Sequence, residues 1–182
     1  MNETLNTIKN RYSCRNYTGE PIEPEKIEAI ALAGVQAPSS MNNQPWKIIA
    51  VTNKELIDEM NNEGLNVLEK AEDKSAYERI KSRGGKLFYN APAMFLVLKK
   101  AGKDLDCGIV SANISLAATS LGLGNVICAM TSIPLNSPNG AIFKEKLGIN
   151  EDWEFGMSIL VGITNDQGTP HTPDITKIHY IK

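Results

Sequence analysis

Arg11, Ser13 and Arg15 occupy alternate positions of the stretch RYSCRNY. Arginines four apart share a face of a helix, and with Ser13 between them they also share a face of a strand. Either geometry aims two guanidinium groups and a hydroxyl one way. Guanidinium matches phosphate oxygens in a bidentate fork and holds its charge at any ordinary pH, so an anion clamp is one outcome. A solvated basic turn is the other, and residue types alone do not separate the two. Further along, APSSMNNQPW (residues 37–46) sets two prolines around small hydroxyl and amide side chains without a charge. Such a loop is suited to hydrogen-bonding a polar, uncharged partner. The plainer alternative is a surface connection.

Other chemistries find few residues to work with. GLGNVI (122–127) begins like a dinucleotide fingerprint, but Ile127 stands where the third glycine belongs. The motif also follows a helical pattern and opens a strand, the reverse of what that phosphate turn needs; a helix cap followed by a strand fits it better. There is no GxxxxGK[ST] and no HExxH, and both histidines, His171 and His179, lie in the tail. No metal site is expected. Ser39 and Ser40 sit outside any GxSxG elbow, which speaks against a serine hydrolase. Cys14, Cys107 and Cys128 are an odd number without a CxxC pair, so they read as reduced and mostly core.

The bounds agree with one ordinary globular domain over 1–182. The chain has 182 residues, 42% hydrophobic and 22% charged. A net charge of -2 gives no basic field for nucleic acid or acidic lipid. The longest apolar run without proline, AMFLVL (93–98), is far short of a membrane span, and MNETLNTIKN lacks the apolar stretch of a signal peptide. A cytoplasmic protein is expected.

The elements that must position these residues follow from periodicity. Leu5 and Ile8 predict a short helix ending near Arg11. Pro24 opens a second, with Ile27, Ile30, Ala31 and Gly34 at helical spacing, that delivers the chain into the 37–46 loop. KIIAVT (47–52) reads as a strand, 54–70 as a polar amphipathic helix, and 77–89 as a further helix. AMFLVLK (93–99) is a strand introduced by Ala-Pro. DCGIVSANISLAATSL (106–121) is small and apolar nearly all round, which predicts a central buried helix. Strands are expected at 125–130 and 154–164, with a short helix at 140–147 between them. The tail, 165–182, has no core pattern of its own until IHYI and needs something to lie on. Strands separated by helices predict an α+β, three-layer sandwich.

Taken together, RYSCRNY, APSSMNNQPW, DCGIVSANISLAATSLGLG and the closing MSILVGIT before a proline-containing tail resemble the FMN-dependent nitroreductase family in one of its shorter forms. The segments 53–85 and 131–152 carry little of that pattern. The resemblance implies a three-layer α/β/α fold with a central mixed sheet and an intertwined homodimer holding FMN at the subunit interface. It implies that Arg11 and Ser13 hold the phosphate and ribityl end and that Arg15 lies beside the pyrimidine edge of the ring. Tyr12 would contribute mainly backbone. Pro38, Ser39, Ser40 and Asn42 would reach the flavin bound mainly by the other subunit, with 44–46 turning the loop into the strand. Backbone N–H groups at Cys128 and Ala129 would lie near flavin N5.

No side chain need act as an acid or base. NADH or NADPH would give a hydride to the flavin, and a nitroaromatic, quinone or similar small-molecule acceptor would then take it. A flavin-binding or flavin-sensing protein with little turnover, or a relative specialised for dehalogenation or flavin breakdown, stays open as an alternative. Two departures stand out. Where the family often carries a lysine and an arginine in the tail, this chain reads GTPHTPD, leaving His171 as the one candidate at the phosphate and Thr169 in place of the other charge. Arg83 stands roughly where longer relatives place an asparagine.

Overall fold

The computed structural model describes residues 2–182; Met1, part of the single domain expected over 1–182, lies outside the described residues. Helix α1 (Glu3–Asn10) is capped by the Asn2 side chain, which accepts from the Leu5 N–H at 3.0 Å. Helix α2 (Pro24–Val35) begins on proline, whose missing N–H costs nothing in the first turn. Strand β1 (Trp46–Val51) and helix α3 (Lys54–Lys70) follow, then α4 (Ser75–Lys81), β2 (Ala93–Lys99) and α5 (Asp104–Ser120). The chain closes with β3 (Gly124–Cys128), α6 (Ser132–Leu135), α7 (Gly140–Lys146) and β4 (Glu154–Gly162).

The four strands form one sheet in the order β1-β2-β4-β3, and each neighbouring pair runs antiparallel. The parallel component expected of a mixed sheet amounts to one bridge, Ser13 to Asn125. Every residue of β2 is buried, which explains why it reads as a continuous apolar run: both faces are covered. Alternation still sorts the strands. Met94, Leu96 and Leu160 pack into one core layer with Ile57 and Met60 of α3 and Phe143 of α7, while Phe95, Val97, Ile159 and Val161 face Ile30 of α2 and Val110 and Ile114 of α5. The sandwich is three layers deep, as the pattern predicted.

Three expectations need correction. The helix expected over 77–89 stops at Lys81, because Gly84 and Gly85 adopt φ of +96° and +69°, outside helical geometry. Tyr89 and Asn90 also take positive φ before the chain enters β2. The strand expected over 125–130 ends at Cys128, and Ala129–Thr131 turns in a 3-10 helix. Helix α5 is buried on one side only. Cys107, Val110, Ser111, Ile114, Ser115 and Ala118 are buried, whereas Gly108 and Ala112 are exposed and Leu105 is 79% exposed in the protomer. At its end, Gly122 at φ +76° lets Leu123 and Gly122 donate to the carbonyls of Ala118 (2.9 Å) and Thr119 (3.0 Å). GLGNVI is therefore a helix cap followed by a strand. The tail is exposed almost throughout, with Ile181 at 91%.

The buried titratable groups set an alkaline limit. Burial pushes the Tyr17 hydroxyl well above its usual range and raises the Cys107 and Cys128 thiols. An unfolded chain sheds the thiol protons from about pH 8.5 and the phenol proton from about pH 10, while the folded chain still holds them. Above that point the folded state binds more protons, so stability falls as pH rises. The urea midpoint should therefore decline steadily from about pH 8.5 upward.

Candidate functional site

Residues 11–15 run extended alongside β3. Ser13 bridges to Asn125, and the Cys14 N–H donates to the Asn125 carbonyl at 2.9 Å. Of the two geometries that could align Arg11, Ser13 and Arg15, the extended one is realised. Arg11 Nη2 donates to Ser13 Oγ at 2.9 Å, and Arg15 Nη1 donates to the Ser13 carbonyl at 3.2 Å. Burial and the nearby Arg15 charge lower the pKa of Arg11. Among the described residues the ion pairs involve lysines, and neither arginine has a carboxylate within 4.0 Å. Two guanidinium groups held together without a counter-charge favour an anion over a solvated turn.

What braces this segment was not foreseen. The Asn125 side chain is buried. Its Oδ1 accepts from Ser115 Oγ, its Nδ2 donates to Thr119 Oγ1 at 2.9 Å, and Thr119 Oγ1 donates to the Ser115 carbonyl at 3.0 Å. This network ties β3, and through its backbone the arginine segment, to α5. Asparagine inside an apolar strand was the available signal, since a buried carboxamide must find partners.

The Tyr12 side chain points to the other face of the extended segment, toward the tail. Its hydroxyl donates to the Asp166 carbonyl at 2.7 Å, and a Cβ added at Gly168 would lie 2.0 Å from its ring. Tyr12 thus anchors the start of the tail. Gly168→Ala should push the tail off the ring and raise its susceptibility to limited proteolysis roughly tenfold, as expected for about 1.4 kcal/mol of local destabilisation. Cleavage rates of the two proteins, followed by mass spectrometry, check this. His171 lies beyond the anchor, exposed, in a cavity of about 560 Å³ shared with Leu5, Ile8, Lys9 and Asn10. No hydrogen bond among the described residues joins it to Arg11 or Arg15. Arg83 is exposed in the turn after α4.

At the other end of β3, Cys128 is buried and Ala129 exposed. Burial raises the Cys128 thiol, opposed by backbone N–H groups of Met130 and Thr131 and by the positive charge of Arg15. Arg15 therefore acts electrostatically on the same end of the strand.

The 37–46 loop keeps its shape by internal bonds. Met41, Asn42 and Gln44 take φ of 53°, 55° and 46°, a conformation that L side chains adopt only when surroundings enforce it. The Gln44 N–H donates to Ser39 Oγ at 2.9 Å, and Gln44 Nε2 donates to Asn42 Oδ1 at 3.2 Å. Pro45 and Trp46 are buried and turn the loop into β1, while Pro38, Ser40 and Asn42 are exposed and Ser39 half-buried. No hydrogen bond among the described residues joins this loop to Arg11, Ser13 or Arg15 within one protomer.

The profile of the nitroreductase family matches residues 8–163. The chain belongs to the nitroreductase family. A crystal structure of a nitroreductase with bound FMN from Desulfitobacterium hafniense DCB-2 superposes with a TM-score of 0.95 at 46% identity, covering 100% of both chains. A nitroreductase with bound FMN from Bacteroides fragilis NCTC 9343 gives a TM-score of 0.89 at 28% identity, again over 100% of both chains. The NADPH-flavin oxidoreductase of Vibrio harveyi is 31% identical over 98% of this chain and 74% of its own length. Among the described residues, no group of side chains is arranged to hold a metal ion, and no helix is long and apolar enough to cross a membrane.

Proposed function

We propose that this nitroreductase is an FMN-dependent NAD(P)H oxidoreductase, built as a single flavin-binding domain over 1–182 and working in the cytoplasm as a homodimer with FMN at the subunit interface. The observation that carries the reading is the pair of guanidinium groups around Ser13 with no carboxylate among the described residues to neutralise them. A phosphate monoester supplies the missing negative charge and accepts from both guanidinium and hydroxyl, so the donor set suits the cofactor.

Arg11 and Ser13 would hold the phosphate and ribityl end. Arg15, which acts on the Cys128 end of β3, would set a fixed positive charge beside the pyrimidine edge. The backbone of Cys128 and Ala129 would meet the ring near N5, and Ala129 is the exposed member of the pair. Pro38, Ser39, Ser40 and Asn42 would come from the partner subunit, a role favoured by a loop that is preformed by its own hydrogen bonds yet largely exposed. The tail would lie across the partner, with His171 as its one cationic candidate toward the phosphate.

Held by these residues, FMN would supply two-electron hydride chemistry between NADH or NADPH and a nitroaromatic, quinone or similar small-molecule acceptor. The protein's part is to orient and to tune. No side chain in the arrangement is placed as a general acid or base. The absorption spectrum of the purified protein, followed by anaerobic addition of NADH or NADPH, tests the reading. A yellow protein that bleaches rapidly supports it; a colourless protein that takes up no FMN, or a yellow one that does not bleach, overturns it.

A further inference from the structure

We propose that Thr131 and Ser158 form a buried hydroxyl relay that orients the peptide between Cys128 and Ala129 and presents the Ala129 N–H to the flavin. The inference rests on placing Ala129 beside N5 of bound FMN.

Strand β3 leaves the sheet at Cys128, directly opposite Ser158 in the register, and turns at once into the 3-10 helix Ala129–Thr131. Thr131 and Ser158 are both completely buried, and Ser158 is followed along β4 by Ile159, Leu160 and Val161. Hydroxyls there need partners inside the protein. Ser158 Oγ lies 2.6 Å from the Cys128 carbonyl oxygen and 2.7 Å from Thr131 Oγ1.

Counting protons fixes the direction of the chain. The carbonyl has none to give, so Ser158 donates its single proton to it. Ser158 Oγ can then only accept, and Thr131 must be its donor. Met94 Sδ, 3.7 Å from Thr131 Oγ1, competes for that proton, but a thioether is a weaker acceptor than a hydroxyl. The order is Thr131 to Ser158 to the Cys128 carbonyl.

Two consequences follow from the peptide itself. Among the described residues all peptide bonds are trans, and in a planar trans peptide the carbonyl and the following N–H point in opposite directions. Drawing the Cys128 carbonyl onto β4 therefore turns the Ala129 N–H away from the sheet. Ala129 is exposed, whereas the N–H groups of Met130 and Thr131 face the Cys128 thiol. Secondly, hydrogen bonds in series polarise one another, so donation to the carbonyl makes the amide proton of the same peptide a better donor. Thr131 and Ser158 are thus positioning residues that would act on the cofactor through the backbone.

The test uses 15N-labelled protein carrying FMN enriched at N5. The wild type should show a scalar coupling between the Ala129 amide nitrogen and N5, transmitted across the hydrogen bond. Thr131→Val, which removes the relay's first donor while keeping its shape, and Ser158→Ala should each weaken that coupling and move the Ala129 nitrogen upfield. Hydride uptake from NADH should slow by roughly threefold to tenfold, the scale of one neutral hydrogen bond. Thr131→Ser, which restores the hydroxyl, should return all three readouts toward wild type. A coupling present in wild type and unchanged in both variants overturns the relay alone. A wild type that binds FMN without any such coupling overturns the placement of Ala129 as well.

Discussion

Replacing Arg15 by alanine should lower the flavin midpoint potential by roughly 30 to 65 mV, while Arg11→Ala should strip the protein of FMN and leave the potential of the remainder nearly unchanged. The two arginines are neighbours, bonded to opposite parts of Ser13, its hydroxyl and its carbonyl. Their expected effects differ because of what lies beyond Ser13. Arg15 acts on the Cys128 end of β3, where the proposed reading puts the ring, and its charge would favour the reduced anion over the neutral oxidised ring. Losing a charge-assisted contact worth about 1.5 to 3 kcal/mol converts at about 30 mV per 1.4 kcal/mol for a two-electron couple. Arg11 is partly desolvated, which lowers its pKa, and a phosphate would relieve that strain on its charge. Potentiometry and FMN titration of both variants decide the assignment. A shifted potential in Arg11→Ala, or flavin loss at constant potential in Arg15→Ala, would reverse the two roles.

The second large effect concerns assembly. Gly108 and Ala112 lie four apart on the exposed side of α5, with Leu105 beside them, and a Cβ at Gly108 would meet nothing within 4 Å. Small residues on an open helix face let a second backbone approach closely. Ala112→Glu should therefore convert the proposed dimer to monomer at micromolar concentration. Two carboxylates buried without partners cost at least ~4 kcal/mol, or roughly a thousandfold in Kd. FMN affinity should fall with it, because the 37–46 loop then has no neighbouring flavin to reach. Sedimentation velocity and FMN titration on the same samples measure both; a monomeric variant with wild-type FMN affinity would sink the shared site.

Local signals were enough for what depends on near neighbours. Periodicity located every strand and most helices, because alternation and the 3.6-residue repeat record which side of an element meets the core. Helix α3 runs over Lys54–Lys70, the span its amphipathic pattern suggested, and Gly122 closed α5 as a cap. The residue types of RYSCRNY left a helical and an extended alignment open, and only the tertiary structure chose between them. It did so by pairing Ser13 with Asn125, more than a hundred positions away, and among the described residues neither arginine has a carboxylate within 4.0 Å.

Tertiary folding also hid the supports. Asn125 with Ser115 and Thr119, Ser158 with Thr131, and Tyr12 with Gly168 are contacts between residues whose chemistry is ordinary until the chain brings them together. The helix expected over 77–89 failed for a related reason. Its apolar spacing continues past Lys81, but paired glycines let the backbone leave the helix, so Leu87 and Phe88 reach the core from a turn instead. Composition and spacing determined the elements, while the motifs carried the resemblance to the family and the residue types of the candidate site. Long-range hydrogen bonds, which no local pattern encodes, decided the direction in which those residues point.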